Sequence, residues 1–279
     1  MKLRSTLLLA AAALAAPAFA QLETPQPSPK ATLTQRVGLT DVTISYSRPS
    51  VKGRAIWGDL VPYDKPWRTG ANAATTLTFS DDVTVEGQKL AAGTYALVTI
   101  PGKDEWTVVF NSDTKLWWET QYDATKDVLR VKVKPEAAPM LETFHIGFPS
   151  ISATGAVLAI EWEKLRVPVK LGVEVDAKLK KALGAAEAGA WQSPLMAARY
   201  YWEQRQDRAE AWKLLEKSIG ASRTWANVSR KARFLADEGK TAEAVKAGEE
   251  ALALMKADPA TPNTAPFEKT LGEWKAKAK

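Results

Sequence analysis

Cysteine is missing from this chain of 279 residues, and histidine occurs once, at His145. Without cysteine there are no disulfide staples, so burial must hold the fold together. A single His and no Cys exclude zinc sites of the usual kind. A Ser-His-Asp triad would have to recruit His145, and no G-x-S-x-G elbow accompanies it. Gly-rich phosphate loops and dinucleotide fingerprints are also lacking. No cofactor, no metal site and no catalytic residue is therefore expected, and the chain reads as a non-catalytic protein rather than an enzyme. Beyond residue 20 no apolar run approaches bilayer length, so no membrane span is expected.

What is present begins with a tripartite N-terminus. Met1-Lys2-Leu3-Arg4 is basic, "LLLAAAALAA" (Leu7 to Ala16) is apolar, and Pro17-Ala18-Phe19-Ala20 ends on small residues. That pattern predicts a secretory signal peptide over residues 1–20 and a periplasmic or secreted protein. No Cys follows the cleavage site, so no lipid anchor is expected there. The next segment, "QLETPQPSPK" (residues 21–30), is Pro-rich and polar and predicts a flexible lead-in. About 260 residues remain, enough for two domains. Lys and Arg number 38 against 32 Asp and Glu, and without Lys2 and Arg4 the net charge is +4. That mild excess does not fit a nucleic-acid binder. The 11 Trp are more unusual, because Trp serves cores and binding surfaces alike.

Two periodicities divide the remainder. Over residues 31–175, short runs such as "DVTISYS", "GTYALVTI", "EWTVVF", "ETFHIGF" and "AVLAIEW" alternate in polarity and are punctuated by Gly, Pro and Asp. This predicts an antiparallel all-β sandwich. "VTVEGQKL" reads as a hairpin turning at Glu86-Gly87. Near Val175 the texture changes to Ala, Lys, Glu and Leu with helical spacing, which predicts a smaller all-α domain over residues 185–279. Trp191 and Trp225, Ala198 and Ala232, and Tyr201 and Leu235 are each 34 residues apart, while Ala211 and Ala244 are 33 apart. This resembles the tetratricopeptide repeat, with one residue of slip in the first copy. Gly239 fits the turn between the two helices of the second copy, and Ala244 and Ala251 fit its small positions. Such repeats imply a protein partner, here one of the cell envelope. "FEKTLGEWKAKAK" is expected to cap them, and the pair to dock on the sandwich.

Several groups could carry chemistry. His145 shares a strand face with Thr143 and Gly147, opposite Phe144, Ile146 and Phe148, and reads as a surface or half-buried histidine. Glu161 and Glu163 flank Trp162, and Asp123 and Asp127 lie in a loop. Either pair could serve glycoside hydrolysis, but no spacing in a sequence identifies a glycosidase. The richer stretch is the connection of about 25 residues between "DVTISYS" and "TTLTF", a length uncommon for a structureless loop and often functional. It interleaves Arg48, Lys52, Arg54, Lys65 and Arg68 with Trp57, Tyr63 and Trp67, stiffened by Pro49, Pro62 and Pro66. Stiffness lowers the entropy lost on binding. Arg48, Lys52, Arg54, Trp57, Tyr63, Trp67, Arg68 and Asn72 are the candidate ligand-binding residues, with a glycan or peptide as ligand. The alternative is that Trp57 and Trp67 fill an open end of the sandwich, with Arg68 tied to a carboxylate beneath them.

The words "RPSVKGR" (Arg48–Arg54), "VPYDKPWRTGAN" (Val61–Asn72), "LAAGTYAL" (Leu90–Leu97) and "EWTVVFN" (Glu105–Asn111) resemble the bacterial domain of unknown function 2911 family, found in exported proteins. The resemblance spans roughly residues 28–175 and implies an exported β domain. That family often carries Glu after the Gly-Ala-Asn triplet, where this chain has Ala73, which weakens a role for the loop in supplying a catalytic carboxylate. The resemblance brings no activity and no catalytic residue. The expected function is thus a non-catalytic binding or scaffolding module of the envelope. The alternative is a carbohydrate-binding or carbohydrate-active protein that uses the loop.

Overall fold

The computed structural model describes residues 24–117, 119–185, 190–260 and 263–278. The predicted signal peptide lies outside them. Ten strands come first: β1 (Lys30–Val37), β2 (Thr40–Ser47), β3 (Thr76–Phe79), β4 (Val83–Val85), β5 (Gln88–Leu90), β6 (Gly93–Ile100), β7 (Trp106–Asn111), β8 (Asp127–Val133), β9 (Glu136–Ile151) and β10 (Gly155–Val173). They form two antiparallel sheets, one ordered β1-β2-β3-β6-β7-β8 and the other β5-β4-β10-β9. Alternate residues of both point inward, and Val42, Ile44, Leu77 and Phe110 of the larger sheet share one buried core with Phe144, Ile146, Leu158 and Val169 of the smaller. The predicted hairpin turn is present. Glu86 and Gly87 join β4 to β5 with φ of 47° and 80°, the left-handed pair that a two-residue turn requires.

The sandwich differs from the sequence reading at β10. "AVLAIEW" and "LRVPVKLGVEV" are one strand of 19 residues rather than two. Its buried positions run Ala156, Leu158, Ile160 and Trp162, then Val167, Val169, Leu171 and Val173. The alternation thus changes phase between Trp162 and Val167. The pairing is irregular there, with four residues along β9 (His145 to Leu141) set against two along β10 (Glu161 to Glu163). Pairing with β9 slips between Glu161 and Leu165, and Glu163 takes φ of 55°. The phase change is what made one strand look like two.

Helices follow: α1 (Asp176–Ala185), α2 (Gln192–Tyr200), α3 (Arg208–Ala221), α4 (Trp225–Asp237), α5 (Thr241–Ala257) and α6 (Ala265–Lys277). The 34-residue period lies on the pairs α2/α3 and α4/α5, and the slip has a physical form. Gln206 follows Tyr201 by five residues, whereas its left-handed counterpart Gly239 follows Leu235 by four. A π-helical turn, Tyr201–Arg205, takes up that additional residue, because a π turn is an α-helix with one residue inserted. It places Trp202 flat against Phe234, with centroids 3.6 Å apart, and beneath the Arg208 guanidinium at 3.6 Å. Helix α6 closes the second pair, setting Phe267 beside Val228, Ala251 and Met255. Helix α1 and the end of α2 meet the sandwich, where Leu179 and Tyr200 pack against its core. Lys178 Nζ reaches Asp81 at 2.5 Å and donates to the Leu39 carbonyl at 3.1 Å. No helix among the described residues is long and apolar enough to cross a membrane.

Candidate functional site

The connection between β2 and β3 is bonded to both sheets. Its first residues run antiparallel to the edge of β9: Phe144 N donates to Pro49 O and Val51 N to Glu142 O, both at 2.8 Å. Lys52 and Gly53, with φ of 50° and 69°, then turn the chain inward so that Ile56 enters the core and Trp57 packs, partly buried, against it. Further on, Trp67 exchanges both backbone hydrogen bonds with Thr99 of β6, at 2.7 and 2.8 Å. Gly70, with φ of 149°, passes so close to Thr75 Oγ1 and Ser47 O that a Cβ would stand 3.0 and 3.1 Å from them. The loop therefore closes one end of the sandwich.

Its aromatics complete a ring cluster. Trp57 and Trp67 meet Trp106 of β7 and Trp162 of β10, with centroids 5.1 to 6.5 Å apart. Trp67 is 6% exposed, and its indole nitrogen donates to Gly70 O at 3.2 Å. Phe144 meets Trp67 edge-on at 5.4 Å. Edge-to-face and offset contacts of this kind add about 0.5–1.5 kcal/mol per pair beyond the area buried.

Arg54 and Lys65 are exposed at the rim, and Arg68 is half-buried. Arg54 is exposed and donates Nε to Val51 O at 3.0 Å and Nη2 to Ser50 O at 2.5 Å. Arg54, Lys65 and Arg68 line a cleft of about 450 Å³ whose wall includes Trp67 and Trp162 and whose lip carries Pro49, Pro62 and Pro66. Among the described residues that line it there is no carboxylate. Exposed Arg54 and Lys65 thus lend positive charge to a Pro-stiffened depression over an indole floor.

Of the eight sequence candidates, Arg54, Trp67 and Arg68 come together in this cleft. Arg48 lines a different cleft, with His145 and Glu161. Lys52 is exposed at the first turn, and its amide donates to Glu142 Oε1 at 2.9 Å. Trp57 lies in the ring cluster, Tyr63 covers Gly58, and Asn72 Nδ2 holds the lead-in through Ser28 O at 3.1 Å. Lys65 was visible among the loop's charges but not singled out. Trp162 had no local signal, because it reaches the cleft from a strand distant in sequence.

The carboxylate pairs are occupied structurally. Asp123 caps a short 3-10 turn by accepting from Thr125 N and Oγ1, at 2.9 and 2.7 Å. Asp127 accepts from Asn111 Nδ2 at 2.8 Å and from Tyr122 OH at 2.6 Å. Burial first, and then that bond to Asp127, push the Tyr122 hydroxyl up to about 12. Glu161 is taken by His145 and Arg166, while Glu163 accepts from the neighbouring Lys164 amide. Among the described residues no group of three or more acidic or His side chains could hold a metal ion.

The model of the family described as "Protein of unknown function (DUF2911)" matches residues 28–171, just over half of the chain. The chain belongs to that family. No curated protein and no solved structure matches it. The DUF2911 match covers the sandwich as far as Leu171 in β10 and stops before α1. The loop and its cleft are thus parts of the DUF2911 domain, and the helix pairs are an addition to it.

Proposed function

We propose that this protein is an exported, non-catalytic binding module that holds an acidic ligand in the loop cleft. The observation that carries the reading is the division of the loop: Trp67 goes into the core with Trp57 packed against it, while Arg54 and Lys65 stand exposed at a cleft with no carboxylate among its described lining residues. A rigid floor with a basic rim suits recognition of a negatively charged group, and arginine offers the fork geometry that carboxylates and sulfates match. Export rests on the N-terminal pattern of residues 1–20, which places the ligand in the periplasm or outside the cell. The two helix pairs offer a further surface for an envelope protein partner.

The carbohydrate-active alternative needs open aromatic faces beside paired carboxylates. Trp67 stacks on Trp162 and Trp57 packs against both, so the indoles serve one another. A binding role for an acidic peptide or acidic glycan is the better fit to the rim. The experiment is a titration of the chain with poly-glutamate and with polygalacturonate, using wild type and Arg54→Ala. Arg54→Ala should keep the fold and weaken binding of the favoured polymer about tenfold, the scale of one lost charge-assisted hydrogen bond. Equal binding by both proteins, or unfolding of Arg54→Ala as severe as that of Trp67→Ala, would show the loop to be a structural plug alone.

A further inference from the structure

Arg48 and Pro49 are adjacent in the chain but line different clefts. Arg48 faces the outer side of β9 and β10, where a depression of about 350 Å³ also contains His145, Glu161 and Arg166. On a regular strand residues 161 and 166, an odd number apart, would point to opposite faces. The irregularity around Glu163, whose φ is 55°, changes the phase of β10 and brings Arg166 round to Glu161, with Nε to Oε1 at 2.6 Å. The other oxygen of Glu161 meets His145 Nδ1 at 3.2 Å. Gly147 leaves the space in which the imidazole lies, since a Cβ there would come 2.5 Å from its Cε1. Three separate features of the backbone and sequence thus assemble one polar cluster.

We propose that this second cleft binds a small ligand with one carboxylate and an apolar body. Glu161 offsets Arg166, so Arg48 remains as the net charge of the cleft, and a monoanion suits one positive charge better than a phosphate dianion. The Nε of Arg48 is fixed on Phe144 O at 2.9 Å. Its two Nη groups make no hydrogen bond among the described residues, which leaves the paired donors that a carboxylate takes side by side. His145 donates through Nδ1 to Glu161, so Nε2 of the neutral ring is an acceptor and Arg48 alone supplies the donors for the carboxylate. The remaining wall is apolar, with Pro139, Met140 and Leu165, and Met140 is 50% exposed. Pro139 removes a backbone donor from this part of β9, which disfavours a peptide adding as a strand and favours a compact ligand. The volume lies at the lower end of ordinary small-molecule sites.

His145 is the single histidine of the chain, so its imidazole resonances report on this cleft without ambiguity. The test is an NMR titration of the full chain with sodium hexanoate at constant pH and ionic strength. Hexanamide serves as the uncharged control and inorganic phosphate as the dianion. Hexanoate should shift the His145 ring signals saturably, with little response to either control. Arg48→Met should weaken hexanoate about tenfold or more, and Arg48→Lys, which keeps the charge but loses the fork, should also weaken it. Met140→Asp alters an exposed wall residue and should oppose the carboxylate while the protein remains folded. No shift with hexanoate through the millimolar range overturns the proposal. So does an equal response to hexanamide or phosphate, or unchanged affinity in folded Arg48→Met and Met140→Asp proteins.

Discussion

Trp67 in the loop and Trp162 on β10 lie face to face, with ring centroids 6.0 Å apart and planes inclined by 16°. Trp67 is bonded through its backbone to Thr99 of the larger sheet, while Trp162 belongs to the smaller one. Their contact therefore clasps the two sheets at the end that the loop closes.

Trp67→Ala should destabilise the sandwich by about 3–5 kcal/mol, the range for large aromatic truncations in cores. Denaturant unfolding followed by Trp fluorescence measures this. A loss within about 0.5 kcal/mol, as for surface changes, would mean that the ring does not hold the sheets together.

Gly70→Ala tests the close passage of the loop. The φ of 149° disfavours a side chain, and the Cβ would crowd Thr75 Oγ1 and Ser47 O. A cost of about 1–3 kcal/mol is expected. It should appear as a lower denaturation midpoint with an unchanged slope, since the surface exposed on unfolding stays the same.

The helix pairs should depend on the sandwich. Tyr200 packs in the sandwich core and in the helical one, and its hydroxyl donates to Asp176 at 3.0 Å. A fragment of residues 185–279 lacks Asp176, Lys178 and Leu179, and two repeats bury little apolar surface alone. Circular dichroism of that fragment should show reduced helicity and a broad melt. A sharp, fully helical transition would disprove the dependence.

Alkaline pH should weaken the fold. Burial first, then the bond to Asp176, raise the Tyr200 hydroxyl to about 12, and Tyr122 is raised similarly. Each folded-state value lies above the ordinary tyrosine value of 10.0. Their stabilising contributions are thus complete below pH 10 and are lost as pH rises through the folded-state values near 12. Tyr200→Phe should flatten part of this alkaline decline, as followed by chemical denaturation at a series of pH values. An identical decline in the variant would assign the effect elsewhere.

Features governed by local geometry were legible in the sequence. Alternation identified the sandwich, Glu86-Gly87 identified its hairpin, and the change of texture near Val175 marked the passage to helices. The one-residue slip between the repeats was visible as well, although its form as a π turn around Trp202 was not. Each of these depends on side-chain period or on φ preferences within a few residues.

The destination of each side chain was settled by tertiary structure. The loop's composition allowed a platform, a plug or a mixture of the two. Only the arrival of Trp106 from β7 and Trp162 from β10 placed Trp67 in the core with Trp57 packed against it and left Arg54 at the rim. Likewise, Glu161 and Arg166 stand on opposite faces in a regular strand and meet because β10 changes phase around Glu163, where its pairing with β9 is irregular. The sequence by itself determined which elements form, because local sterics and periodicity act within a few residues. Which groups share a cleft depends on strand register and on contacts between residues far apart in the chain, where a shift of one residue reverses every face.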